Sequence, residues 1–180
     1  MCLTTERLLL REFVEHDWPA LHEIESDSAV QRYRTGQSGV TPEQTRAWIR
    51  SRHVLAQAQP RTNYTFGIIL HTVPAIIGCC CLNIRRLDLR EGEIWYMLHR
   101  HHWGQGYATK AVEQLLAFSF QDIGLHRIWA QCVRENIQSV HVLEKLGLRH
   151  EGHLREAYWL NEHWWDLFLY AMLDHEWRTR

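Results

Sequence analysis

The chain has 180 residues, 46% of them apolar and 23% charged, with a formal net charge of −1 when histidine is neutral. That length suits one domain around one core, residues 1–180. The near-neutral balance, with no basic run, excludes nucleic acid or an anionic membrane as a partner recruited by overall charge, so an anionic ligand must be held by local groups.

In chain order, residues 8–13 read as a first strand. Asp17 is placed to cap a short helix carrying Leu21 and Ile24. Thr41-Pro42-Glu43-Gln44 joins a capping Thr, Pro at the first helical position and Gln at the third. It predicts a helix that carries Trp48 and Ile49 and ends before Pro60. Residues 64–70 and 75–84 read as strands joined by the turn His71-Thr72-Val73-Pro74, and 93–98 as a further strand. From 106 to 123 the period becomes helical, through Ala108, Ala111, Val112, Leu115, Leu116 and Phe120, with Gly124 as a left-handed cap. Residues 127–133 form a strand. Asn136 caps a helix through Val140, Leu143 and Leu146 that Gly147 ends. Residues 148–158 and 165–173 read as a closing hairpin around Asn161-Glu162.

Cys79, Cys80 and Cys81 are adjacent inside an apolar run. Strand neighbours point to opposite faces and cannot share a bridge or a metal. We read them as buried, reduced thiols, which points to a cytoplasmic protein. The first residues lack the pattern of a signal peptide, and no apolar run approaches the roughly 20 residues of a membrane span. Of nine tryptophans, five lie between Trp129 and Trp177. They are either core fillers or the lining of a cleft or subunit contact, which makes the C-terminal hairpin a candidate homodimer contact.

The stretch that carries chemistry is His102-Trp103-Gly104-Gln105-Gly106-Tyr107-Ala108-Thr109, between a strand and a long helix. Two glycines at a helix start let several N–H groups turn toward one point, where the positive end of the helix dipole adds to them. That is a site for phosphate oxygens without a lysine, or else a shaped turn. The Gly-Lys-Ser/Thr loop of nucleotide triphosphatases is absent, and so is the third glycine of the dinucleotide fingerprint.

Trp103 to Thr109 resembles the pyrophosphate loop of the GNAT superfamily of N-acetyltransferases, and more narrowly that of the RimJ/RimL group. The likeness extends to Thr5-Glu6-Arg7-Leu8-Leu9-Leu10-Arg11, Gly124-Leu125-His126-Arg127-Ile128, Asn136-x-x-Ser139 and Leu143-Glu144-Lys145-Leu146-Gly147. It continues in Glu151-Gly152-x-Leu154-Arg155-Glu156 and Asp174-x-Glu176-Trp177. His101, Trp95 and Lys110 depart from the usual residues, and Trp95 replaces a glycine where the acceptor side would be narrowed or reshaped.

The resemblance implies an α/β (α+β) fold: a mixed, mostly antiparallel sheet with flanking helices, its strands splayed at the cofactor site. It implies acetyl-CoA as co-substrate, held by the loop Gly104, Gln105, Gly106, Tyr107, Ala108 and Thr109, by the strand end Met97, Leu98 and His99, and by Asn136. The Leu98 N–H would polarise the thioester carbonyl, a contribution of roughly 3 kcal/mol to the barrier. Ser139 becomes the acid that protonates the departing sulfur, or else a helix hydroxyl. Glu93 is the first candidate base, because it flanks the reaction centre beside the apolar ring of Trp95; its alternative is a solvent-facing charge. Glu156 is the second candidate, with Tyr158 lining the same cleft. His99, His101 and His102 lack the further ligand of a usual zinc spacing, so no metal is expected. The implied reaction is acetyl transfer to a primary amine, first a protein or peptide N-terminus. A polyamine, an antibiotic or another small amine is the alternative, as is a non-catalytic acyl-CoA-binding module.

Overall fold

The computed structural model describes residues 1–34 and 39–179. Eight strands form one sheet: β1 (Cys2–Thr4), β2 (Leu8–Arg11), β3 (Asn63–Leu70), β4 (Val73–Arg86), β5 (Glu91–Leu98), β6 (Arg127–Val133), β7 (Arg149–Leu160) and β8 (His163–Leu173). Their order is β1-β2-β3-β4-β5-β6-β8-β7. Every neighbouring pair is antiparallel except β5 and β6. That parallel pair needs a crossover, and α4 (Tyr107–Ala117) supplies it.

Two apolar layers sandwich the sheet. On one face α4 and α5 (Ile137–Lys145) bury Val112, Leu115, Leu116 and Leu143 against Phe66, Leu82, Ile94 and Ile128. On the other face α1 (Trp18–Ser26) and α3 (Pro42–Ala56) bury Leu21, Ile24 and Ile49 against Cys79 and Met97. The three consecutive cysteines divide as the pleat requires: Cys80 joins the first layer and Cys79 the second, and all are free thiols.

The expected capping box of α3 is present, with Thr41 Oγ1 accepting from Gln44 N at 3.3 Å and Gln44 Oε1 from Thr41 N at 2.7 Å. Asp17 corrects the reading of the first helix, since its side chain makes no cap bond to α1. Its carboxylate accepts from Arg11 at 2.7 and 2.8 Å and from the Val14 N–H at 2.8 Å. The ion pair outcompetes the cap because both oxygens are already engaged. Strand β4 starts two residues early, at Val73, which leaves His71-Thr72 as the turn. The helix expected to run to 123 instead stops at Ala117, and a π turn over Phe118–Asp122 carries the chain onward.

Three short elements have no sequence signal of their own. Strand β1 is held by the register Leu3↔Leu10. Helix α2 (Ser28–Gln31) is capped by Asp27, and Glu176 bonds the start of α6 (Asp174–Arg178). In the closing hairpin Asn161 and Glu162 both adopt positive φ, 52° and 57°, as a tight two-residue turn between twisted strands requires.

Candidate active site

Strands β5 and β6 pair only at Glu91↔Arg127, Gly92↔Ile128 and Glu93↔Trp129. Both continue well beyond, so a gap opens between Ile94–Leu98 of β5 and the end of β6 at Val133. The register on the other side of β5 decides which groups face it. His99 N donates to Ile77 O at 2.8 Å. Amides alternate along an antiparallel ladder, so those of Met97 and His99 point to β4 while those of Tyr96 and Leu98 point into the gap. The Leu98 carbonyl is occupied, accepting from Trp103 Nε1 at 2.8 Å. Behind this stretch only glycine fits at 78, because a Cβ there would lie 2.3 Å from the Met97 carbonyl oxygen.

The glycine loop borders the same gap. His99 opens it, its Nδ1 accepting from His101 N at 3.3 Å across the short turn Arg100–His102. Gly104 and Gly106 hold φ of 72° and 78°, and a Cβ at either would meet nothing within 4 Å. These glycines are therefore needed for the turn and for open space, not for packing within the protein. Gly106 is the N-cap of α4, and the first intrahelical bond runs from Lys110 N to Gly106 O. The amides of Tyr107, Ala108 and Thr109 precede that bond and point off the helix start. Burial, then the charges of His99 and His101, hold the His102 imidazole below its ordinary pKa. The chain also brings Arg7 here: it donates to Gln105 O at 3.3 Å and its guanidinium lies 4.3 Å from the centre of the Tyr107 ring.

Opposite the loop, Asn136 Oδ1 accepts from Ser139 N at 3.3 Å, so the expected cap of α5 is made. The Ser139 hydroxyl lies 2.8 Å from the Tyr96 hydroxyl, a bond that links β5 to α5 across the splay. Burial pushes the Cys132 thiol up to about 11, with Ser139 moderating the rise, and lifts the Tyr96 phenol well above its ordinary range.

The two carboxylates fare differently. Glu93, Trp95 and Met97 share one face of β5, and that face meets the α1 and α3 layer, where Trp95 lies 6.5 Å from Trp48 between ring centres. The expectation of an apolar setting for Glu93 is corrected: its Oε2 accepts from Arg85 Nε at 2.7 Å. Glu156 is exposed, at φ 48° in an irregular stretch of β7, where its own N–H donates to Asp166 Oδ1 at 2.9 Å. Tyr158 is half-buried nearby, and Trp165 of β8 reaches Tyr33 just beyond α2, ring centres 5.6 Å apart. Among the described residues no group of three or more His, Cys, Asp or Glu is placed to hold a metal.

Tyr96, Arg7 and Cys132 escaped the sequence reading. Tyr96 alternates with Glu93 and Trp95 on the strand, so the pleat alone puts it on the α5 face. Arg7 and Gln105 are 98 residues apart, and no local pattern joins them.

The gap and the glycine loop suit a long, phosphate-bearing thioester: backbone donors at one end, open space over Gly104 and Gly106, and a hydroxyl cluster at the other. Comparison with known proteins agrees. Residues 7–149 match the acetyltransferase (GNAT) domain. The uncharacterized N-acetyltransferase YnaD of Bacillus subtilis is 33% identical over 98% of this chain and 99% of its own. By fold, the chain is similar to RimL, the ribosomal L7/L12 alpha-N-protein acetyltransferase solved with coenzyme A, at TM-score 0.87, 22% identity, and 96% and 98% coverage of the two chains. It is equally similar to spermidine N-acetyltransferase of Vibrio cholerae, solved with CoA and spermine, at TM-score 0.84, 21% identity, and 97% and 99% coverage. The chain belongs to the GNAT acetyltransferase family, and acetyl-CoA is its acyl donor.

Proposed function

We propose that this N-acetyltransferase acts on the free N-terminal amine of a protein or peptide. The observation that carries the reading is the charge pairing around the acceptor side. Glu25 is paired with Arg34, Asp27 with Arg100, Glu93 with Arg85, and Asp166 with His153 and Arg134. A polyamine needs carboxylates left over for several cations, and these already have partners. A single amine at the end of an extended chain needs only one.

In this reading acetyl-CoA supplies the activated thioester, and the chain's own groups do the rest. The loop amides from Gly104 to Thr109 hold pyrophosphate, and Asn136 and the β5 end from Met97 to His99 hold the pantetheine arm. The Leu98 N–H donates to the carbonyl oxygen as it gains charge. Ser139 gives its proton to the departing sulfur. The acceptor must lose a proton before attack, since an amine is mostly charged at neutral pH. Because Arg85 engages Glu93, Glu156 is the freer carboxylate, and it takes that proton through water.

The test is release of free thiol from acetyl-CoA with an amine panel: peptides with free N-termini, the same peptides blocked, spermidine, and small aromatic amines. Turnover confined to free N-termini is expected. Preference for spermidine would overturn the acceptor assignment. Tight binding of acetyl-CoA with no turnover on any amine would make the domain a binding module.

A further inference from the structure

We propose that Tyr96 is a positioning residue for the leaving-group acid: its hydroxyl donates to Ser139 Oγ and so aims the Ser139 proton at the departing sulfur. The inference rests on the proposed role of Ser139.

Three polar groups converge where β5 and β6 part: Tyr96 from β5, Cys132 from β6 and Ser139 from the first turn of α5. A serine hydroxyl has one proton and two lone pairs. In a helix that proton readily turns back to a carbonyl of the preceding turn, where it serves no chemistry. Ser139 can avoid this if a neighbour donates to its oxygen. Tyr96 lies at 2.8 Å, the ordinary length for O–H to O, while its distance to the Ser139 carbonyl is 3.3 Å and weaker. With the phenol buried and its pKa raised, Tyr96 keeps its proton throughout the pH range of the protein and stays a donor. Once Tyr96 occupies a lone pair of Ser139 Oγ, the serine proton is left for a sulfur acceptor at the gap: Cys132 Sγ at rest and the departing thiolate during transfer.

The step balances as follows. The amine nitrogen bonds to the acyl carbon, the carbon–sulfur bond breaks, and its electron pair stays on sulfur. Ser139 passes its proton to that sulfur. The proton released by the acylated amine, delivered through solvent, restores Ser139. Tyr96 transfers nothing. Its contribution is orientation and a stronger acid, because a hydroxyl that accepts a hydrogen bond gives up its own proton more easily.

A readout apart from turnover separates positioning from simple packing. Coenzyme A labelled with ¹³C beside its sulfur is bound to the protein, and its thiol is titrated by NMR. A donor aimed at sulfur stabilises the thiolate, so the bound thiol of the wild type should titrate about 1 unit below that of free coenzyme A, tenfold in proton affinity. Tyr96→Phe keeps the ring and its packing but removes the donor. It should lose most of that shift, lower kcat about tenfold and leave the Kd of coenzyme A unchanged. Ser139→Ala should lose the same shift, and the double variant should lose no more than either single one, because the two act as a unit. A wild-type titration in Tyr96→Phe beside a shifted one in Ser139→Ala would overturn the role of Tyr96 alone. Additive losses would overturn it too. A wild-type titration in Ser139→Ala would remove the acid, and Tyr96 with it. Melting curves of each variant establish that the titrations are read on folded protein.

Discussion

The cofactor half and the acceptor half of this molecule are built by different means. In the proposed reading the recognition groups on the cofactor side are backbone: the loop amides, the Leu98 N–H and two glycines at positive φ. Their positions follow from strand register and a helix start, and the core beneath is tight, with Val112, Leu115 and Leu116 fully buried under α4. On the proposed acceptor side the groups are side chains. Trp165, Tyr33, Tyr158 and Glu156 come from a long hairpin and from the chain beyond α2, and Glu156 and Trp159 stand in solvent. Backbone geometry serves any member of a family that shares a cofactor, whereas side chains on a hairpin can be exchanged without disturbing the fold.

The largest expected effect falls on the acceptor half. Glu156→Gln should lower kcat/KM about a hundredfold at neutral pH, the usual range for loss of a general base. It should recover partly at high pH, where the amine deprotonates by itself. Glu93→Gln, which removes only the partner of Arg85, should change kcat/KM by less than about threefold. A pH–rate profile in which the Glu93 variant loses the limb that rises from low pH and the Glu156 variant keeps it would reverse the assignment.

On the cofactor half the matching change is Gly106→Val. Its Cβ would meet nothing inside the protein, so the fold should survive the cost of a left-handed valine. The branches would occupy the space where backbone must approach pyrophosphate, and acetyl-CoA affinity should fall at least tenfold, about 1.4 kcal/mol. Calorimetric titration with acetyl-CoA measures it. An unchanged Kd in a folded variant would take the loop out of the site.

The same division governs what could be read from the sequence. The loop, the β5–α4–β6 crossover and the Asn136 cap were legible because each is local: glycines at a helix start, a change of period, an Asx residue before an apolar stripe. Both sheet faces followed from alternation. What was missed depends on side-chain partners that neither periodicity nor a capping pattern specifies. The ion pair of Glu93 comes from Arg85 across a turn, the one that diverts Asp17 from Arg11, and the hydroxyl facing Ser139 from Tyr96, 43 residues away. The acceptor half consists almost wholly of such pairings.

Trp165→Ala tests whether the hairpin ring belongs to the acceptor half alone. Its edge contact with Tyr33 is of a kind that contributes about 1 kcal/mol. If the ring lines the cleft, KM for the peptide should rise about fivefold and the Kd of acetyl-CoA should not move. A rise in both would mean that the two halves are coupled through the hairpin, and that the contact with Tyr33 holds the splay open.

Acid should distinguish the halves with the smallest effect of the four. His102, beside the loop, has its pKa held below the ordinary 6.5 by burial and by His99 and His101. The unfolded chain therefore binds that proton first, and stability is lost as pH falls below about 6.5 until the folded group also protonates. Asp166, on the hairpin, is held below the ordinary 3.8 by the Glu156 N–H and then by His153. Its contribution is complete above that value and is lost only as pH falls through the lower, folded pKa. As pH falls from about 6.5 toward 3.8 the cofactor loop should loosen while the hairpin holds. Hydrogen exchange corrected for intrinsic rates should register this as reduced protection around His102 and unchanged protection around Glu156. His102→Asn should flatten the loss. Equal loosening of both segments in that window would mean that they open as one unit and that the contrast between the halves stops at their chemistry.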